Sequence, residues 1–461
     1  MAVRGRLEAP LAALLAAVVV LFWPATRLFF LGDDFGWLVA GRFALARPLG
    51  WWRAFTQVNA AGTYRPLGQQ VFYWLGWHLF GMHPLGYHLL DLALFLASVV
   101  SVYRLARAHL GHPWLAAIAA TPFALSVTHF DHLGWTPAVC ETLAGLGVAG
   151  ALLAQAGGRP RAAAIWYAVG LLADETAGVV PAMALVYDLL VARRPWRDAV
   201  RQEWRLWALA SVYLPLRLAM GVHPTGLFAP VWSAGVWLGL IGRSVRTGLQ
   251  FMGPIENVWR AGPVWRTATA AGSVALLAAS LALAARAGQR LLAEWRLAAA
   301  GAAWFLLGLL PVLPFAHDFT TYNLDIPLLG FPLILAAALR AARHGATAAG
   351  AIWAAAFLAI GLLVVDGPGG LTAVDGNAVL SRAARVAYVA METRVDRGGT
   401  PLPVCIQGGI WPQWVVGGNA LARLLAGGAP ARVAYPTGAC PARGLVLVWH
   451  AATDSFTVPH V

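Results

Sequence analysis

Two adjacent carboxylates, Asp33 and Asp34, follow an apolar run that extends from Leu11 to Leu31. Charges at the end of such a run are costly unless they face water or a polar cavity. Neighbouring carboxylates can split their pKa values, leaving one ionised while the other orients a hydroxyl or a cation. Asp33 and Asp34 are therefore candidates for general-base work. The competing reading is a solvated loop start that caps the next helix. Further on stands Tyr64-Arg65-Pro66-Leu67. Arginine forks two hydrogen bonds onto a phosphate or a carboxylate, so Tyr64 and Arg65 are candidates for phosphate contact, with an interfacial anchor as the alternative. Arg243 and Arg246 are three residues apart and share a helix face. They suit a lipid phosphate, or equally the anionic headgroups of a bilayer.

Other polar residues interrupt the apolar runs. His129, Asp131 and His132 form one group, Asp174 and Glu175 a second, and His317 and Asp318 a third. All seven are read as cavity lining. No metal ligand is assigned, because a structural metal site usually shows more ligands at fixed spacings. Cys140 is read as a packed residue, and Glu141, His88 and Asp91 as contacts between helices. The chain has no Walker loop, no GxGxxG between a strand and a helix and no GxSxG elbow, so a nucleotide-dependent soluble reaction has no support. The sequence identifies no cofactor; a divalent cation at the acidic pair is compatible with it.

The elements that must position these residues are membrane spans. Of 461 residues, 59% are hydrophobic and 11% charged, about half the charge usual for a soluble protein. Mean hydropathy is +0.66. The net charge of +13 reflects arginines at the ends of apolar runs, which is the positive-inside pattern and not a nucleic-acid footprint. Hydropathy gives eleven spans at about 9–30, 85–103, 113–128, 135–156, 162–173, 176–192, 205–221, 264–285, 298–315, 324–339 and 348–365. Arginine alternation puts the N-terminus inside and the C-terminus outside. The first apolar run follows Arg4 and Arg6 and is read as an uncleaved span.

The fold class is thus an all-α polytopic membrane protein with about 11 transmembrane helices and a small α/β extracytoplasmic domain. The membrane domain covers 1–376, with a long outer loop at 31–83 and an amphipathic helix at about 231–252 lying in the outer interface. Residues 377–461 form the extracytoplasmic domain, with strands near 403–406 and 445–449 and a helical stretch near 418–426 between them. Cys405 and Cys440 both fall in this tail, where a disulfide is plausible; their spacing alone does not establish it. The bacterial inner or plasma membrane is the expected location.

Several segments, taken in order, resemble one family. They are Asp33-Asp34-Phe35, Tyr64-Arg65-Pro66-Leu67, the run Leu79-Phe80-Gly81-Met82-His83-Pro84-Leu85-Gly86-Tyr87-His88-Leu89, and Asp174-Glu175-Thr176-Ala177-Gly178-Val179-Val180-Pro181. Over about residues 31–190 the chain resembles the GT-C integral-membrane glycosyltransferases, in particular the protein O-mannosyltransferase, TMTC-like and ArnT-like group. Asp174 stands where that family carries a lysine, and Tyr322-Asn323-Leu324-Asp325-Ile326-Pro327 lacks the basic residue of the late motif. The resemblance implies a polyprenyl-phosphate sugar donor, an acceptor hydroxyl on a protein, lipid or glycan, transfer on the outer face with inversion, and Asp33 as base. The rival classes are a transporter or flippase of lipid-linked sugars and a surface-polysaccharide polymerase or ligase. A transporter would place its charges near the midplane, whereas these collect near the outer ends of the spans.

Overall fold

The structure is a computed structural model of the full chain. It describes residues 8–44, 50–59, 62–220, 230–249, 263–342, 346–367, 370–395, 404–408, 410–428, 433–435, 440 and 445–458.

Helices dominate because long apolar stretches without water must satisfy their backbone groups internally. Among the described residues five helical stretches are long and apolar enough to cross a membrane: Ala9–Arg27, Pro84–Leu110, Thr136–Ala156, Ala270–Ala287 and Ala346–Asp366. Thr321–Leu328 and Phe331–Ala342 make a sixth if counted as one span, bent by 47°. Pro113–Ala124 and Trp295–Leu309 are shorter apolar helices. Helices also occupy the other three expected spans, at Pro160–Ala173, Val180–Leu190 and Trp196–Ala219, without meeting the same length and hydropathy test. The bend at Leu329 and Gly330 lets Gly330 lie against Gly301; a Cβ on Gly330 would come within 2.2 Å of the Gly301 carbonyl oxygen.

The expected loop 31–83 is itself largely helical. It contains Asp33–Val39, a π-helical turn Ala40–Ala44, the helix Gly50–Thr56, a second π-turn Pro66–Val71 and the helix Phe72–Phe80. The basic amphipathic stretch forms the helix Ala234–Gly248, capped by the Ser233 side chain. Its buried residues Leu240, Ser244, Thr247 and Gly248 lie on one side, and Gly248 approaches Leu328 and Phe331.

The tail forms a four-stranded sheet of β1 (Val404–Gln407), β2 (Val433–Ala434), β3 (Leu445–His450) and β4 (Ser455–Thr457), in the order β2-β1-β3-β4. β1 pairs in parallel with β2 and β3, and β3 pairs antiparallel with β4. In β3, Leu445, Leu447 and Trp449 face inward while Val446, Val448 and His450 alternate with them, as a half-covered sheet requires. A disulfide joins Cys405 to Cys440, with Cα atoms 5.9 Å apart. The helix Gly376–Val395 packs across β3, β4 and Ala420–Leu425.

This tail shares a core with the acidic loop. Phe30, Leu31, Phe35, Leu38, Phe72, Tyr73 and Tyr87 form one buried cluster with Ala384, Ala387, Val415, Val416, Leu421, Leu445 and Leu447. A second and larger cluster fills the helical bundle.

Candidate active site

Gly32 sets the entry to the acidic pair. Its φ of +58° is open to glycine and strained for other residues. Its N–H donates to the Val415 carbonyl oxygen at 3.1 Å, and a Cβ there would lie 2.7 Å from the Trp414 ring. The tail therefore docks on the loop at the residue before Asp33. Arg42 adds a bond from its guanidinium to the Leu424 carbonyl oxygen at 2.6 Å.

The two carboxylates have different surroundings. Asp33 is solvent-accessible, while Asp34 is buried. Neighbouring groups still crowd Asp33, and this partial burial raises its carboxyl above the ordinary range against a hydrogen bond from the Trp414 side chain. Asp34 accepts the Tyr73 hydroxyl at 2.5 Å and the Leu31 N–H at 2.8 Å. Burial pushes Asp34 up to about 7 in spite of these donors, with the Asp33 charge adding to the rise. One carboxylate of the pair is thus held by the protein and the other is open to a reactant.

Arg65 meets the second acidic pair. Its Nε lies 2.9 Å from Asp174 Oδ2 and 3.0 Å from Glu175 Oε2, and its Nη2 donates to Glu175 Oε1 at 3.2 Å. Arg217 donates to the same Glu175 Oε1 at 2.7 Å. Burial weakens the Glu175 anion, but Arg65 and Arg217 outweigh it and hold the carboxyl down at about 2. Asp174 also accepts the Thr176 N–H and hydroxyl. Two cations and two carboxylates therefore form one balanced network, with Arg65 retaining 21% side-chain exposure. Gly68 makes this approach possible: a Cβ there would lie 2.6 Å from Cys140 Cβ. Tyr64 is buried and its hydroxyl donates to the Phe55 carbonyl oxygen at 3.1 Å.

A third group lies under the helix His129–Gly134. His129 Nδ1 is 2.7 Å and His132 Nδ1 3.1 Å from Asp325 Oδ1. Asp131 points elsewhere: it accepts the Thr321 hydroxyl and faces Asp375. His88 sits between the Leu133 and Leu28 carbonyl oxygens at 2.9 and 3.1 Å, as expected of a residue that joins helices.

The expected site residues thus divide into three neighbourhoods: Asp33 with Asp34, Arg65 with Asp174 and Glu175, and His129 with His132. Arg243 and Arg246 lie on the helix Ala234–Gly248, where Arg246 Nε is buried without a hydrogen-bond partner. His317 and Asp318 end the turn Leu313–Asp318, and their side chains lie outside the described residues. Sequence reasoning missed Trp414, Tyr73, Arg217 and Asp325 as site partners. A lone acid within an apolar run was the available signal for Asp325; nothing local marks the other three.

No family model and no curated protein matches the chain. Among solved structures, ArnT from Cupriavidus metallidurans in the apo state is similar over 95% of this chain and 92% of its own, with a TM-score of 0.51 at 13% identity. The same protein bound to undecaprenyl phosphate matches over 96% of this chain and 94% of its own, with a TM-score of 0.50 at 13% identity. Arabinofuranosyltransferase AftD from Mycobacteria matches over 88% of this chain at 20% identity, with a TM-score of 0.49; the chain spans 30% of that protein's length. Together with the apolar helices, the likeness to ArnT over nearly its whole length makes this an integral membrane protein with the fold of the GT-C glycosyltransferases.

Proposed function

We propose that the protein is an inverting glycosyltransferase that moves a sugar from a polyprenyl-phosphate-linked donor to an acceptor hydroxyl on the outer face of the membrane. The observation that carries this reading is the division of labour in the acidic pair. Asp34 is fixed by Tyr73 and the Leu31 N–H, while Asp33 is open beside Trp414. In this reaction Asp33 takes the acceptor proton as the acceptor oxygen attacks the sugar carbon. The bond from that carbon to the phosphate oxygen breaks, and polyprenyl phosphate leaves with the electron pair. Asp34, expected from the sequence to orient the acceptor or a cation, is buried and acts through its charge beside Asp33.

Tyr64, Arg65, Arg243 and Arg246 are assigned to the donor phosphate and lipid. The exposed part of Arg65 and the unpaired Arg246 Nε support this assignment. The bound undecaprenyl phosphate of the similar ArnT structure supports a polyprenyl carrier. Arginine alternation supports residues 377–461 as an extracytoplasmic domain and the helix Ala234–Gly248 at the outer interface, and the likeness to ArnT from Cupriavidus metallidurans supports a bacterial inner or plasma membrane location.

The test is transfer by the purified full chain in lipid vesicles supplied with radiolabelled polyprenyl-phosphate sugars and a mixed acceptor extract. Label is expected to leave the lipid fraction with wild-type protein and to remain there with Asp33→Asn. Equal release by both proteins, or no release from any donor, would overturn the reading.

A further inference from the structure

His129 and His132 are three apart on the helix His129–Gly134, so both rings fall on one face. Asp325 comes from the bent span, 196 residues from His129. One ligand atom from each of the three lies within 4.8 Å of the others, and all three side chains are buried. The two imidazole nitrogens converge on the same oxygen, Asp325 Oδ1, at 2.7 and 3.1 Å. Neighbouring ligands of a tetrahedral ion with bonds of about 2.0–2.1 Å stand roughly 3.3 Å apart, so little movement would admit one.

Two further observations point to a ligand. Neither ring nitrogen of His132 has an aligned hydrogen-bond partner, although the ring is fully buried. Nearby, Asp91 is also fully buried, and both its oxygens lack hydrogen bonds; the Thr142 hydroxyl faces it without meeting hydrogen-bond geometry, and it repels Asp325. Buried orphan groups of this kind need a compensating charge. The other nitrogen of His129 is already fixed, with Nε2 2.6 Å from the Phe123 carbonyl oxygen. That is the support a metal-bound imidazole normally has, since the second nitrogen donates to a carbonyl and leaves the first free to ligate.

We propose that His129, His132 and Asp325 form a site for a divalent metal ion of the zinc class, which fastens the helix His129–Gly134 to the bent span. Two imidazoles and a carboxylate favour zinc-like ions over calcium or magnesium. The site is separate from the acidic pair assigned to transfer, and its role is to hold helices together. The bonds formed are from His129 Nδ1, a His132 ring nitrogen and an Asp325 oxygen to the ion. Any protons on the two ligating nitrogens are released to solvent.

The experiment uses the full chain, free of any histidine tag, in detergent after growth with added zinc. Elemental analysis is expected to find about one zinc per chain in wild-type protein, and at most a few tenths in His132→Ala and Asp325→Asn. A strong chelator should lower the thermal midpoint of wild-type protein, and Zn2+ should restore it. Co2+ loaded after chelation should give the visible absorption bands of a tetrahedral site. Should both variants fail to fold, the wild-type chelation and cobalt arms decide. Wild-type protein with no retained zinc, no cobalt bands and a midpoint indifferent to chelator and Zn2+ would overturn the site. So would full zinc content in folded His132→Ala and Asp325→Asn proteins.

Discussion

Arg65 binds both oxygens of Glu175 along one edge of its guanidinium, Nε to Oε2 at 3.0 Å and Nη2 to Oε1 at 3.2 Å. A planar fork matched to a carboxylate holds both partners in one geometry. The same Nε lies 2.9 Å from Asp174, whose side chain is fully buried. Removal of Arg65 therefore leaves a buried carboxylate without its cation. Breaking a buried pair from one side costs about 3–5 kcal/mol, and the partial exposure of Arg65 places its loss at the lower end. Arg65→Ala should lower the thermal midpoint in detergent clearly, and Arg65→Lys less, because it keeps the charge and loses the fork. Equal midpoints for Ala, Lys and wild-type proteins would show that the network carries no stability. Because the guanidinium is engaged structurally, donor binding by Arg65→Lys is the cleaner measure of any phosphate contact.

Gly32 joins the acidic loop to the tail. Substitution by alanine meets both the positive φ and the Trp414 ring at 2.7 Å. Backbone strain of this kind costs about 1–3 kcal/mol, and the clash adds to it. Gly32→Ala should loosen Trp414 and Val415 from the loop before the bundle is affected. Amide exchange should rise in 410–428 and stay unchanged in Thr136–Ala156. Unchanged protection in the tail would mean that the docking does not pass through this residue.

The legible part of the structure was that governed by local composition. Thr136–Ala156 and Ala346–Asp366 carry few charges and end near polar breaks, so hydropathy places them within a residue or two. Two of the four tail strands were legible, because Val404–Gln407 and Leu445–His450 contain short apolar, β-branched runs within a Gly-rich tail; the short β2 and β4 carried no such signal. The 47° bend between Leu328 and Phe331 falls at Gly330 between Pro327 and Pro332, residues that interrupt a helix, yet hydropathy alone reads 324–339 as one span; the bend then lets Gly330 pack against Gly301. The site was legible as a set of residue types and opaque as a set of pairs. Arg65 and Glu175 are 110 residues apart, and His129 and Asp325 are 196 apart. Trp414 reaches Asp33 only because the tail folds back over the first loop, a long-range contact that no periodicity records.

Asp131 and Asp375 are two buried carboxylates in contact. Asp375 already accepts the Asn377 and Ala378 N–H groups at the start of the helix Gly376–Val395. The shared proton therefore belongs to Asp131, whose carboxyl is raised first by burial and then by the Asp375 charge. A carboxyl raised in the folded state contributes stability fully below its unfolded pKa and loses it as pH rises through the folded value. Asp131→Asn supplies a permanent donor, so its thermal midpoint should fall less than that of wild-type protein between pH 5 and pH 9. Parallel pH profiles for the two proteins would remove the shared proton from the account.

The acidic pair makes the most direct test of the proposed chemistry. A hydroxyl attacks only as its proton leaves, so the base must be ionised and within reach of it. Asp33 is the accessible carboxylate, and Asp33→Asn keeps its shape while removing the charge. Loss of a general base costs about 10²–10⁴ in rate, so kcat should fall at least about a hundredfold while the thermal midpoint hardly changes. Asp34→Asn should act differently. Its amide can still accept from one of Tyr73 and Leu31, but it presents N–H to the other, so the midpoint should fall while kcat falls less. The pH dependence separates the two roles further. Burial holds Asp34 at about 7, above its unfolded value, so its ionisation in the folded protein costs stability as pH rises through neutrality. Asp34→Asn should therefore flatten the pH dependence of the midpoint near pH 7. Asp34 ionised beside Asp33 also raises the basicity of Asp33, so the rate of wild-type protein should increase with pH across the same range. A wild-type rate with no change between pH 6 and pH 8, together with near-normal transfer by Asp33→Asn, would take the base assignment away from this pair.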